Sequence, residues 1–145
     1  MADGIFNIAK GAFVEKFRDS AANGIILLLE TAAADATLVD FDDVAAMLAG
    51  APVEAAFTNY ARDTGITGSI TVDDTNDRVD VDIPDYTINS AGNGANETLA
   101  KLVVAYEEAA ADATRIPLSH HDFTATTDGS NLTMQFNAAG FGRAA

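Results

Sequence analysis

Hydrophobic and polar positions alternate with changing period along this chain of 145 residues, and the changes mark its elements. Near the start two periods overlap. Phe13, Glu15 and Phe17 interleave with Val14, Lys16 and Arg18 as in an extended segment, whereas Ile5, Ala9, Phe13 and Phe17 fall at the spacing of four that a helix requires. The pattern leaves the first element open between strand and helix, and residues 1–20 open between a strand of the fold and an extended N-terminal arm. After the Asn23-Gly24 turn signal, Ile25-Ile26-Leu27-Leu28-Leu29 is short and continuously apolar, which predicts a central strand buried on both faces. The Ala-rich stretch from Thr31 to Thr37 leads to residues 42–50, which read as a short helix. Asp42 and Asp43 stand at the positive end of its dipole, Val44, Met47 and Leu48 share a face, and Gly50 and Pro52 stop it. Leu38 and Phe41 are placed to pack at its entrance.

From Val53 the period becomes two. Ala55, Phe57, Asn59 and Ala61 alternate with Ala56, Thr58, Tyr60 and Arg62, and Gly65 and Gly68 bracket a bend. Ile70 and Val72, the polar turn Asp74-Thr75-Asn76-Asp77, and Val79, Val81 and Ile83 then predict a β-hairpin whose Asp80 and Asp82 face water. The small, polar segment Asn89 to Asn96 reads as an exposed loop, and Leu102 to Tyr106 as another apolar strand. A last hairpin is predicted from Ile116–Thr124, a turn at Asp128-Gly129-Ser130, and Leu132, Met134 and Phe136; residues 138–145 offer no further core element. Strands at spacings of about 10 residues predict a mainly β chain, an antiparallel β-sandwich with one short α-helix, forming a single domain over residues 1–145.

Composition narrows the function. Apolar residues make up 48% of the chain, enough for a substantial core, so its acidity is not that of a disordered segment. With 8 Lys and Arg against 22 Asp and Glu the net charge is −14, which repels phosphate backbones and anionic lipid and argues against nucleic-acid and membrane partners. Cysteine is absent, which removes disulfides, thiol nucleophiles and thiolate metal sites. The longest apolar run, Ile25 to Leu29, is far shorter than the roughly 20 residues of a membrane span, and Asp3 replaces the basic start of a signal peptide, so the expectation is a soluble, unprocessed protein made in the cytoplasm.

Candidate chemistry is sparse. Asp73, Asp74, Asp77, Asp80, Asp82 and Asp85 cluster as calcium ligands can, but without the glycine and closing Glu of an EF-hand loop, and strand alternation spreads them over a solvated face. His120 and His121 are neighbours on a strand, so their rings point to opposite faces and cannot easily share a metal; Ser119 beside His120 does not make a triad. Tyr60, Tyr86 and Tyr106, without any Trp, read as strand tyrosines that pack their rings and expose their hydroxyls. The expectation is no catalytic residue, no cofactor and no metal.

Four segments carry a resemblance: Phe6 to Gly11, Phe57 to Arg62, Asp73 to Asp85, and Ile116 to Phe123. Together they resemble a family of small virion structural proteins of tailed bacteriophages, particularly those infecting actinobacteria. The resemblance implies a non-enzymatic particle protein. The placement expected from it is a capsid decoration or minor capsid protein on the capsid exterior, binding the major capsid protein as a homo-oligomer, with a trimer as the structural guess. A tail, connector or receptor-binding component is the alternative. The contact residues expected are Ile5, Phe6 and Ile8 near the start and Phe141 and Arg143 near the end, because apolar termini outside a sandwich need a partner surface.

Overall fold

In the computed structural model, which describes residues 3–9, 13–137 and 140–144, the chain forms eleven strands and three α-helices among those residues. The strands are Gly4–Ile5 (β1), Gly24–Thr31 (β2), Val53–Glu54 (β3), Asp63–Ile66 (β4), Ser69–Asp73 (β5), Arg78–Asp82 (β6), Tyr86–Ile88 (β7), Thr98–Glu107 (β8), Arg115–Thr126 (β9), Leu132–Met134 (β10) and Gly142–Ala144 (β11). The helices are Phe13–Asp19 (α1), Asp35–Leu38 (α2) and Val44–Ala49 (α3). All strand pairings are antiparallel, and the fold is mainly β and sandwich-like, as the alternating pattern predicts.

The main sheet runs β1-β9-β8-β2-β3, with β4 also paired to β2. Its centre is the apolar segment Ile25 to Leu29, buried on both faces as expected. Because paired residues share a face, the register divides the sheet into two surfaces. Ile26, Leu28, Leu102, Val104, Ser119 and His121 lie on one; Ile25, Leu27, Lys101, Val103 and His120 lie on the other. Phe17 of α1 and Phe141 pack on the first surface through Tyr106, and Asp35 of α2 reaches Lys101 on the second. Two smaller sheets complete the fold, β11-β6-β5 and β10-β7.

The helix predicted at residues 42–50 is α3. Asp43 stands in extended conformation ahead of it and its carboxylate accepts the Ala46 N–H at 2.7 Å, which satisfies one of the free donors of the first turn. Val44 and Met47 are buried, and Leu48 packs against the core. Two further short helices accompany it. The ambiguous first segment contains both kinds of structure, β1 and then α1, because Phe17 faces inward on a helix while Gly4 and Ile5 add to the edge of β9. The described part of residues 1–20 is therefore an integrated piece of the fold rather than a free arm.

Five other expectations are corrected. Residues 55–62 are not a strand: Tyr60 N–H bonds to Phe57 O, and Asn59 turns the chain at φ 71°. The last hairpin does not form: β9 pairs with β8 and, at Ser119 and His120, with β1, while β10 pairs with β7. The tail does contribute core. Gly140 has φ +91°, and a Cβ there would run into the Val81 backbone, so this glycine lets Phe141 enter the core and β11 join β6. The β5–β6 hairpin keeps the expected register, Asp73 opposite Arg78, but its wet face differs. Asp80 is only 8% exposed because Arg143 of β11 reaches it at 2.7 Å and Arg78 at 3.1 Å, whereas Val72 is 63% exposed. In the loop at 89–96, Ala91 and Gly92 are buried, since Ala91 N–H bonds to Ser130 O and Gly92 N–H to Thr58 O.

Candidate functional site

The densest collection of chemically capable side chains lies along the seam between β1 and β9. Gly4 sits opposite His120, and a Cβ at Gly4 would stand 2.6 Å from the His120 Nε2, so only glycine lets the strand lie against the ring. Phe6 follows, fully buried, with its ring edge-on to His120 at 5.6 Å and its N–H donating to Leu118 O. On the opposite face, His121 lies between two oxygen groups. Its Nε2 is 3.0 Å from Ser119 Oγ and its Nδ1 is 3.4 Å from Asp3 Oδ2, while the other Asp3 oxygen accepts the Asp122 N–H at 2.9 Å. Asp3, His121, Phe123, Gln135 and Phe136 line a cavity of about 490 Å³.

Ser119, His121 and Asp3 thus follow the order of a hydrolase relay, which neighbour-to-neighbour reading of Ser119 and His120 passes over. Residues 119 and 121 share a face by strand alternation, and that spacing is the signal in the sequence. Its chemistry is limited by burial. Ser119 is fully buried beneath the strand pair and does not line the cavity, so a substrate carbonyl has no path to its oxygen. Asp3 ties the start of β1 to β9 by accepting the Asp122 N–H, and the Ser119 oxygen is turned to His121 inside the sheet. His120, on the other face, is buried and neither of its ring nitrogens has a hydrogen-bond partner. Burial, with the nearby Lys101 charge, pulls its pKa below the ordinary histidine value.

Two ion-pair networks hold the surrounding frame. Lys101, a lone cation within an apolar strand, is fully buried with its Nζ 2.6 Å from Asp122 Oδ1 and 2.9 Å from Asp35 Oδ1. Burial works against the ammonium, but its bonds to both carboxylates outweigh that and hold its pKa above the ordinary lysine value. In the second network Arg62 forks onto Glu54 and also reaches Asp112, which Arg115 shares while holding Glu107. The Tyr60 hydroxyl is internal to it, accepting from Leu28 N–H and donating to Glu54, so it is not exposed as expected. Arg62 is raised by its bond to Glu54, against burial; Tyr60 is raised by burial.

The expected contact residues separate. Phe6 and Phe141 are core, Ile5 is half-buried on the cavity wall, Arg143 is bonded to Asp80, and Ile8 is 42% exposed. The other large apolar side chains that stand out are Val53 on β3 and Val72 on β5, both on strands at sheet edges. In the acidic turn, the Asp73 carboxylate accepts from Thr75 N–H, Asn76 N–H and the Asn76 amide, and it meets Arg78 at 3.1 Å. Among the described residues no three His, Asp or Glu side chains converge as a metal-holding group, and no helix is long and apolar enough to cross a membrane. The class defined by this geometry is an antiparallel, sandwich-like β protein whose polar networks brace its strands. No family model, no curated protein and no solved structure matches the chain.

Proposed function

We propose that this chain is a non-enzymatic structural protein of a tailed-bacteriophage virion, seated as a capsid decoration or minor capsid protein on the lattice of the major capsid protein. The observation that carries the reading is what the four resembling segments do. Phe6 anchors the β1 seam, Tyr60 and Arg62 form the hub of an ion-pair network, residues 73–85 contain β6 and the hairpin turn, and residues 116–123 lie in β9. Each of the four segments contributes described residues to the architecture, and the constellation of Ser119, His121 and Asp3 has a closed-in serine.

The charge of −14 favours the outer surface, since packed DNA repels an acidic protein. Attachment would bury apolar surface at about 25 cal/mol per Å², offset by the cost of association, so a trimer binding through three copies gains by multivalency. Among the described residues, Ile8, Val53 and Val72 are large apolar side chains exposed for such contacts. Immunogold labelling and immunoblotting of purified virions test the placement. Gold spread over the heads is expected. Gold confined to the tail or neck overturns the head placement in favour of a tail or connector component, and particles negative in both assays overturn the virion assignment.

A further inference from the structure

Among the described residues, His120 is the side chain with two buried polar atoms that both lack a hydrogen-bond partner. Its ring is buried between Gly4, Phe6 and the sheet, and both nitrogens lack a hydrogen-bond partner. A neutral imidazole leaves one N–H unpaired in such a site, whereas an imidazolium would leave two and bury a charge, which costs far more. The charged groups around it do not supply an acceptor. Lys101 on β8 is a cation on the same face and Asp35 on α2 is bonded to that lysine; Asp3 ahead of β1 is engaged with Asp122 N–H, and His121 points to the opposite face. The residues of α3, Val44–Ala49, and the turn Asn7–Ala9, which also pack near β9, include no titratable side chain.

We propose that His120 is a proton-operated latch that releases the N-terminal strand, residues 3–9, from the edge of β9 in mild acid. Only the segment that covers the ring needs to move for the imidazole to reach water. Two residues of strand pairing, the Phe6 N–H bond to Leu118 O, the Asn7 N–H bond to Val39 O, the Asn7 amide bond to Asp40, the Asp122 N–H bond to Asp3 and the buried Phe6 and Ala9 side chains hold that segment, a smaller set than the continuous pairing of β2, β8 and β9. On the opposite face, His121 Nδ1 lies 3.4 Å from Asp3. Asp3 is largely exposed, so water screens any attraction between the two. Release frees Phe6 together with the already exposed Ile8, producing an apolar arm from a segment that is sealed at neutral pH. The latch rests on the chain's own geometry and is independent of the virion reading.

The sign and size follow from linkage. Burial in the closed form disfavours the charged ring, and the open form titrates near the ordinary value of about 6.5, so opening grows below that value by at most about tenfold per pH unit. Between pH 8 and pH 5 the open population should rise, with about 30-fold as its ceiling. Hydrogen exchange of the intact protein, corrected for intrinsic rates, reads this at the Phe6 amide, with Leu27 and Val103 amides as internal controls for global unfolding. The expected result is a loss of protection at Phe6 of up to about 30-fold, unchanged protection at the two controls, and no pH effect at Phe6 in His120→Phe. Equal protection at both pH values, equal losses at the controls, or the same loss in His120→Phe overturns the proposal. NMR titration of the His120 Cε1 proton decides it without a variant. Protonation with a midpoint near 6.5 while Phe6 stays protected also overturns the latch.

Discussion

Replacing Lys101 by Met removes the cation between Asp35 and Asp122 while keeping most of the side-chain volume. The ammonium is fully buried, and the two carboxylate side chains remain 31% and 32% exposed. Removing one partner of a buried ion pair costs about 3–5 kcal/mol, because the remaining charge loses its compensation. Here water still reaches both carboxylates, which places the expected loss at the lower end, about 3 kcal/mol. For a chain of this size that corresponds to a Tm lower by about 10 °C. Urea denaturation followed by far-UV circular dichroism measures the loss, and an unchanged m-value shows that it is a loss of stability alone. Adding Asp35→Asn and Asp122→Asn to the Met variant removes the uncompensated charge and should recover more than half of the loss. A cost below about 1 kcal/mol for Lys101→Met, or no recovery in the triple variant, would refute the electrostatic argument.

Further outcomes follow from the same geometry. Arg62→Ala leaves Glu54 and Asp112 without their shared guanidinium and should cost about 2 kcal/mol, read in the same urea titration. Asp112 is held below the ordinary carboxylate range by its bond to Arg62. Its contribution is therefore present above about pH 4 and lost as pH falls below that value, so global unfolding by circular dichroism should begin only there, well below the range in which the latch opens. Because the Asp73 carboxylate is already engaged by its own turn, about 5 mM calcium should leave the Tm unchanged in differential scanning fluorimetry; a clear rise would show a cation site. A fluorophosphonate probe should fail to label Ser119, as detected by intact-mass spectrometry, and labelling would reopen the hydrolase reading.

The central strand, the α3 helix with its Asp43 cap and Gly50 stop, and the β5–β6 register were legible because each depends on local signals: an apolar run, a capping residue, a polar turn. What the pattern missed depends on pairing across long distances. Nothing local to Leu132–Met134 says that β9 already has two neighbours, and nothing local to Phe141 says that β6 has a free edge. Asp80 alternates as a solvent-facing residue would, yet Arg143 covers it from far along the chain. The candidate site was legible only in part. The opposite orientations of His120 and His121 follow from strand alternation, but the partners that define their chemistry, Gly4, Phe6 and Asp3, come from the other end of the sequence.

That separation bears on how the molecule folds. Asp3 and Asp122 meet across 119 positions, whereas β8 and β9 are joined through a short connection and β5 and β6 through one turn. Loop closure is costlier for the distant pair, so the hairpins should form first and the β1 seam should close after the barrier to folding has been crossed. A weakened seam, as in Phe6→Ala, would then leave the refolding rate almost unchanged and speed unfolding instead. Until the seam closes, the outer edge of β9 is an unpaired strand edge, which makes the newly made chain most prone to pairing with its neighbours in the interval before its own first residues arrive.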